Sequence, residues 1–163
     1  MKSSGERLDW ALKSCEESQM RMTSVRKAIL EFLAVQRKPV NLDVISQAPG
    51  VRDECDATTV YRTLMVFKDA GLVRWVGMLR KTSHFVLNVP GDVGHFLVCE
   101  RCGAVAELEV PPGVLAATER LAVEHGFSAS RHCMDLHGVC RACEESERRT
   151  VAAVKVMARH CFV

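Results

Sequence analysis

The stretch CERCGAVAELEV, residues 99–110, decides how the second half of this chain is read. Two cysteines two residues apart are followed by Gly103 and then by a run that alternates apolar and polar side chains. Cys-x-x-Cys serves as a redox dithiol, as part of a disulfide framework, or as half of a metal site. CRAC at 140–143 supplies a second pair, thirty-seven residues after the first. Four thiolates in two such pairs match a tetrahedral structural zinc site. Gly103 permits the tight turn that lets both sulfurs of the first pair face one ion. A redox dithiol needs an activated thiol at a helix N-terminus, whereas the period-2 run after Cys102 predicts a strand. Structural zinc on Cys99, Cys102, Cys140 and Cys143 is the expected occupant; a redox dithiol and an iron–sulfur cluster are the alternatives.

Whole-chain properties favour the metal. A chain of 163 residues fits one domain or two small ones, and 48% apolar residues build a core without disulfides. MKSSGERLDW at the start lacks the apolar run of a secretory signal, and no stretch is long enough to span a bilayer. A cytoplasmic location, where thiols stay reduced, is the expectation. Eight cysteines then read as metal ligands or redox groups before disulfides. Cys15, Cys55, Cys133 and Cys161, outside the two pairs, read as small apolar side chains. The net charge of +2 is uninformative about partners, because one basic half disappears into a neutral sum. No nucleophile elbow, phosphate loop or His-Glu-x-x-His pattern is present, so neither an enzyme nor a small organic substrate is expected.

The N-terminal half has a different period. MTSVRKAILEFLAV carries a candidate cap at Thr23, then Val25, Ala28, Ile29, Phe32 and Leu33 on one helical face. A short helix follows Asn41 and ends at Pro49-Gly50. In CDATTVYRTLMVFKDAGLV, Asp56 caps a third helix, Val60, Leu64 and Phe67 form its apolar stripe, and Gly71 ends it. Thr58, Thr59, Tyr61 and Arg62 fall off that stripe at the front of the helix. Two strands, LVRWVGM and KTSHFVL, follow with a turn near Leu79-Arg80. Three helices and a two-stranded wing describe a winged helix-turn-helix whose last helix enters a major groove. Arg21, Arg26, Lys27, Lys68, Arg74, Arg80 and Lys81 add a basic surplus suited to phosphates. A solvated helix with ordinary surface charge fits the same pattern, and periodicity does not separate the two.

Four segments in one order resemble the ferric uptake regulator family of bacterial metal-responsive transcription factors: RMTSVRKAILEFL, DATTVYRTLMVFKDAGLV, HFLVCERCGAVAELEV and RHCMDLHGVCRAC. The resemblance runs from about Met20 to Cys143 and is most specific in TVYRTL and in the paired cysteines. It implies an α+β protein, with a winged helix-turn-helix DNA-binding domain (1–87), a hinge (88–93) and a small α/β dimerisation domain with the four-cysteine structural zinc site (94–163). It also implies a homodimer that binds AT-rich inverted repeats when loaded with a second, regulatory metal. By position, Tyr61 and Arg62 match DNA-contacting residues of the family, and Arg26 matches its backbone-contacting arginine.

Proline and glycine in NVPGDV, residues 88–93, mark the hinge. Beyond a strand at AELEV, Pro111-Pro112 open a helix with Leu115, Leu121 and Ala122 inward and Gly126 at its end. FSASRHCMDLHGV then alternates, with Ser130, His132, Met134 and Leu136 on one face. The tail after Cys143 reads as helical, with Val151 and Val154 on one side.

The chain departs from its family at the regulatory metal. The usual histidine-rich run before the first cysteine pair is replaced by NVPGDVGHFLVC, which leaves Asp92 and His95 as candidate ligands. Glu107 and His132 match a regulatory-site carboxylate and a dimerisation-domain histidine. Val86 stands at the wing position that is often acidic, with His84 nearby, and RKPVNLDV lacks the usual histidine. The wording ERCGAVAE and LHGVC is most similar to the zinc uptake regulators, so zinc is the favoured signal, with Fe2+ next. Alternatives are an iron- or peroxide-responsive member of the same family, and a zinc-stapled interaction module without DNA binding.

Overall fold

The computed structural model describes residues 2–79, 82–92, 94–128 and 133–147. Helix α1 (Ser4–Glu17) has a capping box: the Ser3 hydroxyl accepts the Glu6 N–H and the Ser3 N–H donates to the Glu6 carboxylate. Helix α2 (Ser24–Val35) is capped by Thr23, as its sequence predicts, and buries Ile29, Leu30, Leu33 and Ala34. A short strand β1 (Val40–Asn41) leads into helix α3 (Leu42–Ser46), where the Asn41 side chain accepts the Val44 N–H at 2.8 Å. That helix stops at Ser46, short of the expected Pro49-Gly50, because residues 48–55 fold into successive turns. Helix α4 (Ala57–Asp69) follows, and strands β2 (Val73–Leu79) and β3 (Thr82–Leu87) form a hairpin.

The first sheet has the order β1-β3-β2, all antiparallel. One core fills the space between it and helices α1 to α4, with Leu30, Leu64, Phe67, Phe85 and Leu87 among its buried members. Strand β3 is buried on both faces. Phe85 and Leu87 point into this core, while Val86, one residue out of phase, joins Val76, Phe96 and Val98 in a second core. A β-bulge between Trp75 and Gly77 adds one residue to β2.

The second sheet, built from β4 (Phe96–Cys99), β5 (Val105–Glu107) and β6 (Asp135–Gly138), has the order β5-β4-β6. Strand β6 runs parallel to β4, and helix α5 (Pro112–Glu124) forms the crossover between β5 and β6. Gly126 adopts φ 79° just past the helix, as its position predicts. The expected inward face of α5 is not found. Leu115 and Ala122 are half-buried, Leu121 is 54% exposed, and the helix has no buried residue. Periodicity marks an apolar face, but nothing in the described part of this chain covers it.

Arg74 on β2 ties the sheets together. Its guanidinium donates to both carboxylate oxygens of Asp135 (3.0 and 2.8 Å) and to the Gly94 carbonyl (2.8 Å), and lies 5.1 Å from the centre of the Phe96 ring. Residues 141–147 are helical, and the rest of the tail lies outside the described residues.

Candidate metal centre and nucleic-acid interface

The register of β4 on β6 builds the cysteine cluster. Cys99 ends β4 opposite Gly138, so the chain leaving β6 brings Cys140 alongside it. The Gly103 N–H donates to the Cys99 carbonyl at 2.9 Å, and Gly103 has φ 74°, which folds Cys102 back toward Cys99. Cys143 sits in the first turn of the segment 141–147, its N–H bonded to the Cys140 carbonyl.

All four sulfurs lie within 4.8 Å of one another, with Cys99 and Cys143 at 3.9 Å and Cys102 and Cys140 at 3.6 Å. Zinc–thiolate bonds of about 2.3 Å in a tetrahedron require sulfur–sulfur edges of about 3.8 Å. A disulfide would need about 2.05 Å. The donor set therefore fits a closed tetrahedral zinc site. The Cys140 N–H donates to the Cys99 sulfur at 3.3 Å. Backbone donors from Cys102 and then Cys140 pull the Cys99 thiol down to about 6. Cys143 is pushed up to about 12, chiefly by its side-chain interaction with Cys140.

The regulatory candidates are spread out. Asp92, His95 and Glu107 line one cavity of about 310 Å³ between the halves, together with Arg7, Arg37 and Arg74. The Asp92 carboxylate is ion-paired with Arg7 and Arg37. His95 accepts the Met134 N–H on Nδ1 at 2.9 Å. Glu107 is exposed on β5. His84 lies elsewhere, buried in β3 beside Gly103. Among the described residues no group of three His, Cys, Asp or Glu ligand atoms converges apart from the four cysteines. His132 lies outside the described residues, as does Cys161.

Helix α4 divides its faces sharply. Val60, Leu64 and Phe67 are fully buried, and Thr58, Thr59, Tyr61 and Arg62 are exposed. Local chemistry fixes both ends: Asp56 accepts the Thr59 N–H at 2.8 Å, and Gly71 (φ 75°) and Leu72 return N–H bonds to Lys68 and Phe67. Arg26, half-buried on α2, donates to the Arg21 carbonyl. Sequence reasoning missed α1 and the two arginines on Asp92. The box Ser3-x-x-Glu6 was the local signal for α1; nothing local marks Arg7 or Arg37.

The profile of the ferric uptake regulator family matches residues 17–137. The peroxide operon regulator of Bacillus subtilis is 33% identical over 139 residues, 84% of this chain and 93% of that protein. Among solved structures, a zinc uptake regulator complexed with zinc and DNA is 28% identical and superposes with a TM-score of 0.53, covering 91% of this chain and 99% of its own. The Helicobacter pylori ferric uptake regulator has a TM-score of 0.67 at 13% identity, covering 88% and 95%, a likeness of fold alone.

Proposed function

This chain belongs to the ferric uptake regulator family, and we propose that it is a cytoplasmic, metal-responsive repressor that binds an AT-rich inverted repeat as a homodimer. The observation that carries the reading is α4. Its buried stripe leaves two threonines, a tyrosine and an arginine in one exposed patch, the donor and acceptor types that read base edges. In this reading α2, α3, α4 and the β2–β3 hairpin make a winged helix-turn-helix, with α4 in the major groove and Arg26 on a phosphate. The division into 1–87, a hinge at 88–93 and 94–163 goes with it. The exposed apolar side chains Leu97 and Leu136 on the second sheet, Val139 just after it and Leu121 on α5 suit burial against a second copy.

The four-cysteine cluster holds structural zinc, which supplies no chemistry beyond fixing the ends of the second half. A second divalent ion, zinc before iron(II), is the signal, held by a set drawn from His84, His95, Glu107 and His132. The shared cavity of His95 and Glu107 supports that placement. The likeness to a zinc uptake regulator bound to zinc and DNA favours zinc, and the likeness to a peroxide operon regulator favours a peroxide-responsive second reading. The test is fluorescence anisotropy on an AT-rich inverted repeat and a scrambled duplex of equal composition. Protein holding only its structural zinc is titrated with zinc, iron(II) or manganese(II). Specific binding that appears with one metal supports the proposal; equal binding to both duplexes, or indifference to every metal, ends it.

A further inference from the structure

We infer that Asp92 is the centre of an ion-pair latch that fixes the orientation of the two halves, and that α1 exists to carry one side of it. Asp92 lies in the connecting segment 88–93, with its side chain only 9% exposed. Its Oδ2 is 3.3 Å from Nη1 of Arg7 on α1 and 3.3 Å from Nη1 of Arg37, just past α2. Arg7 also donates to the Gln36 carbonyl at 2.8 Å, and Arg37 to the Lys2 carbonyl at 2.6 Å. One carboxylate therefore joins the start of α1, the end of α2 and the connecting segment. Two residues on, Arg74 grips the Gly94 carbonyl while it holds Asp135 at the start of β6. The segment is pinned on both sides by guanidinium groups.

The chemistry separates this role from metal ligation. Two guanidinium groups already converge on Oδ2 of this carboxylate, so its buried charge is compensated without a metal. Arg7, 3% exposed, cannot recover water if the pair opens, so its burial makes the carboxylate obligatory. No short-range pattern in the sequence requires a buried arginine in a helix otherwise lined by Ala11 and Cys15. Its partner explains it. Through the DNA-binding reading, the latch presets the spacing of the two α4 helices that a half-site separation demands.

The experiment uses full-length, zinc-loaded protein with Arg7→Met, Arg37→Met, Asp92→Asn and the Arg7→Met/Asp92→Asn double variant. Hydrogen exchange without DNA is read at the Asp92 amide, bonded to the Val89 carbonyl, and at the Phe96 amide, bonded to the Met134 carbonyl. Each single variant should speed exchange at both by roughly tenfold, and the double variant no further, because the partners act as one unit. Protection of α4 amides reports that the fold survives, and Arg37→Met tests the same carboxylate from its half-exposed side. Zinc and iron(II) titration midpoints should not move, and operator affinity should fall in all three single variants. A midpoint shifted by Asp92→Asn but not by Arg7→Met, or effects that multiply in the double variant, would overturn the latch. Faster exchange with unchanged operator affinity would overturn its role in spacing. The expected exchange in a wild type that binds no specific duplex would sink the DNA reading and leave the latch standing.

Discussion

Removing zinc should unfold the second half of the molecule and spare the first. Among the described residues after 93, the buried apolar side chains besides Cys99 are Phe96 and Val98. Together they contribute about 3–6 kcal/mol, at about 1.5–3 kcal/mol for each fully buried side chain. A structural zinc in small peptide sites contributes roughly 10 kcal/mol or more, so the metal outweighs the apolar packing it supports. The first half rests instead on a core that runs from Ala11 to Val89 and contains no metal ligand. The assay is hydrogen exchange by mass spectrometry on Cys102→Ser and on chelator-treated wild type, with zinc measured in the same samples. Amides of β4 and β6 should lose protection while those of α2 and α4 keep theirs, and heating should show two transitions in place of one. Full protection of residues 96–99 and 135–138 in protein shown to be free of zinc would refute the reasoning.

Arg62→Ala should cost about 1–3 kcal/mol on the specific duplex and flatten discrimination at one position of each half-site. Arg26→Ala should weaken specific and random duplexes alike and reduce the salt slope, as a phosphate contact does; anisotropy at several salt concentrations separates them. Leu136→Glu should convert dimer to monomer in sedimentation, since it places a charge within an exposed apolar patch, and an unchanged dimer would remove that patch from the interface. The Thr59 N–H bond holds the Asp56 carboxyl below its ordinary 3.8. A lowered folded-state value means that the cap's charge stabilises fully above 3.8 and is lost as pH falls through the folded value. Wild type should therefore exceed Asp56→Asn in urea melts at neutral pH, and the gap should close in acid; a gap constant into strong acid would contradict the cap.

How much of this was legible in the sequence follows from the range of the forces involved. Helix α4 was legible because each determinant is local: Asp56 before it, Val60, Leu64 and Phe67 along one face, Gly71 after it. The cysteine cluster was legible because a two-residue spacing and a glycine suffice to build each half of it. Helix α1 was missed because its buried stripe is Arg7, Ala11 and Cys15, which has little apolar contrast with its surroundings. The inward face expected of α5 failed for a different reason. An amphipathic period shows that a helix has an apolar side, and says nothing of whether this chain or another covers it. Asp92 was read as a ligand from its place beside the cysteine half. Its partners come from the far N-terminus and from the end of α2, and no local pattern encodes that meeting.

The two ties act on one element. Strand β3 places Phe85 and Leu87 in the core that contains Leu64 and Phe67 of α4, and Val86 in the core that contains Phe96 and Val98. His84, in the middle of the strand, lies beside Gly103 of the first cysteine turn. Because side chains alternate along a strand, any slide or tilt of β3 moves both sets of contacts together, and a close-packed interior does not absorb such a shift gradually. Loss of zinc would loosen β3 from the cysteine turn, while loss of the latch would loosen the segment that follows Leu87. The two perturbations should therefore differ in their order of effect. Zinc removal should reach the β2–β3 hairpin before α4, whereas Asp92→Asn should raise exchange across residues 88–96 and leave the cysteine turn protected.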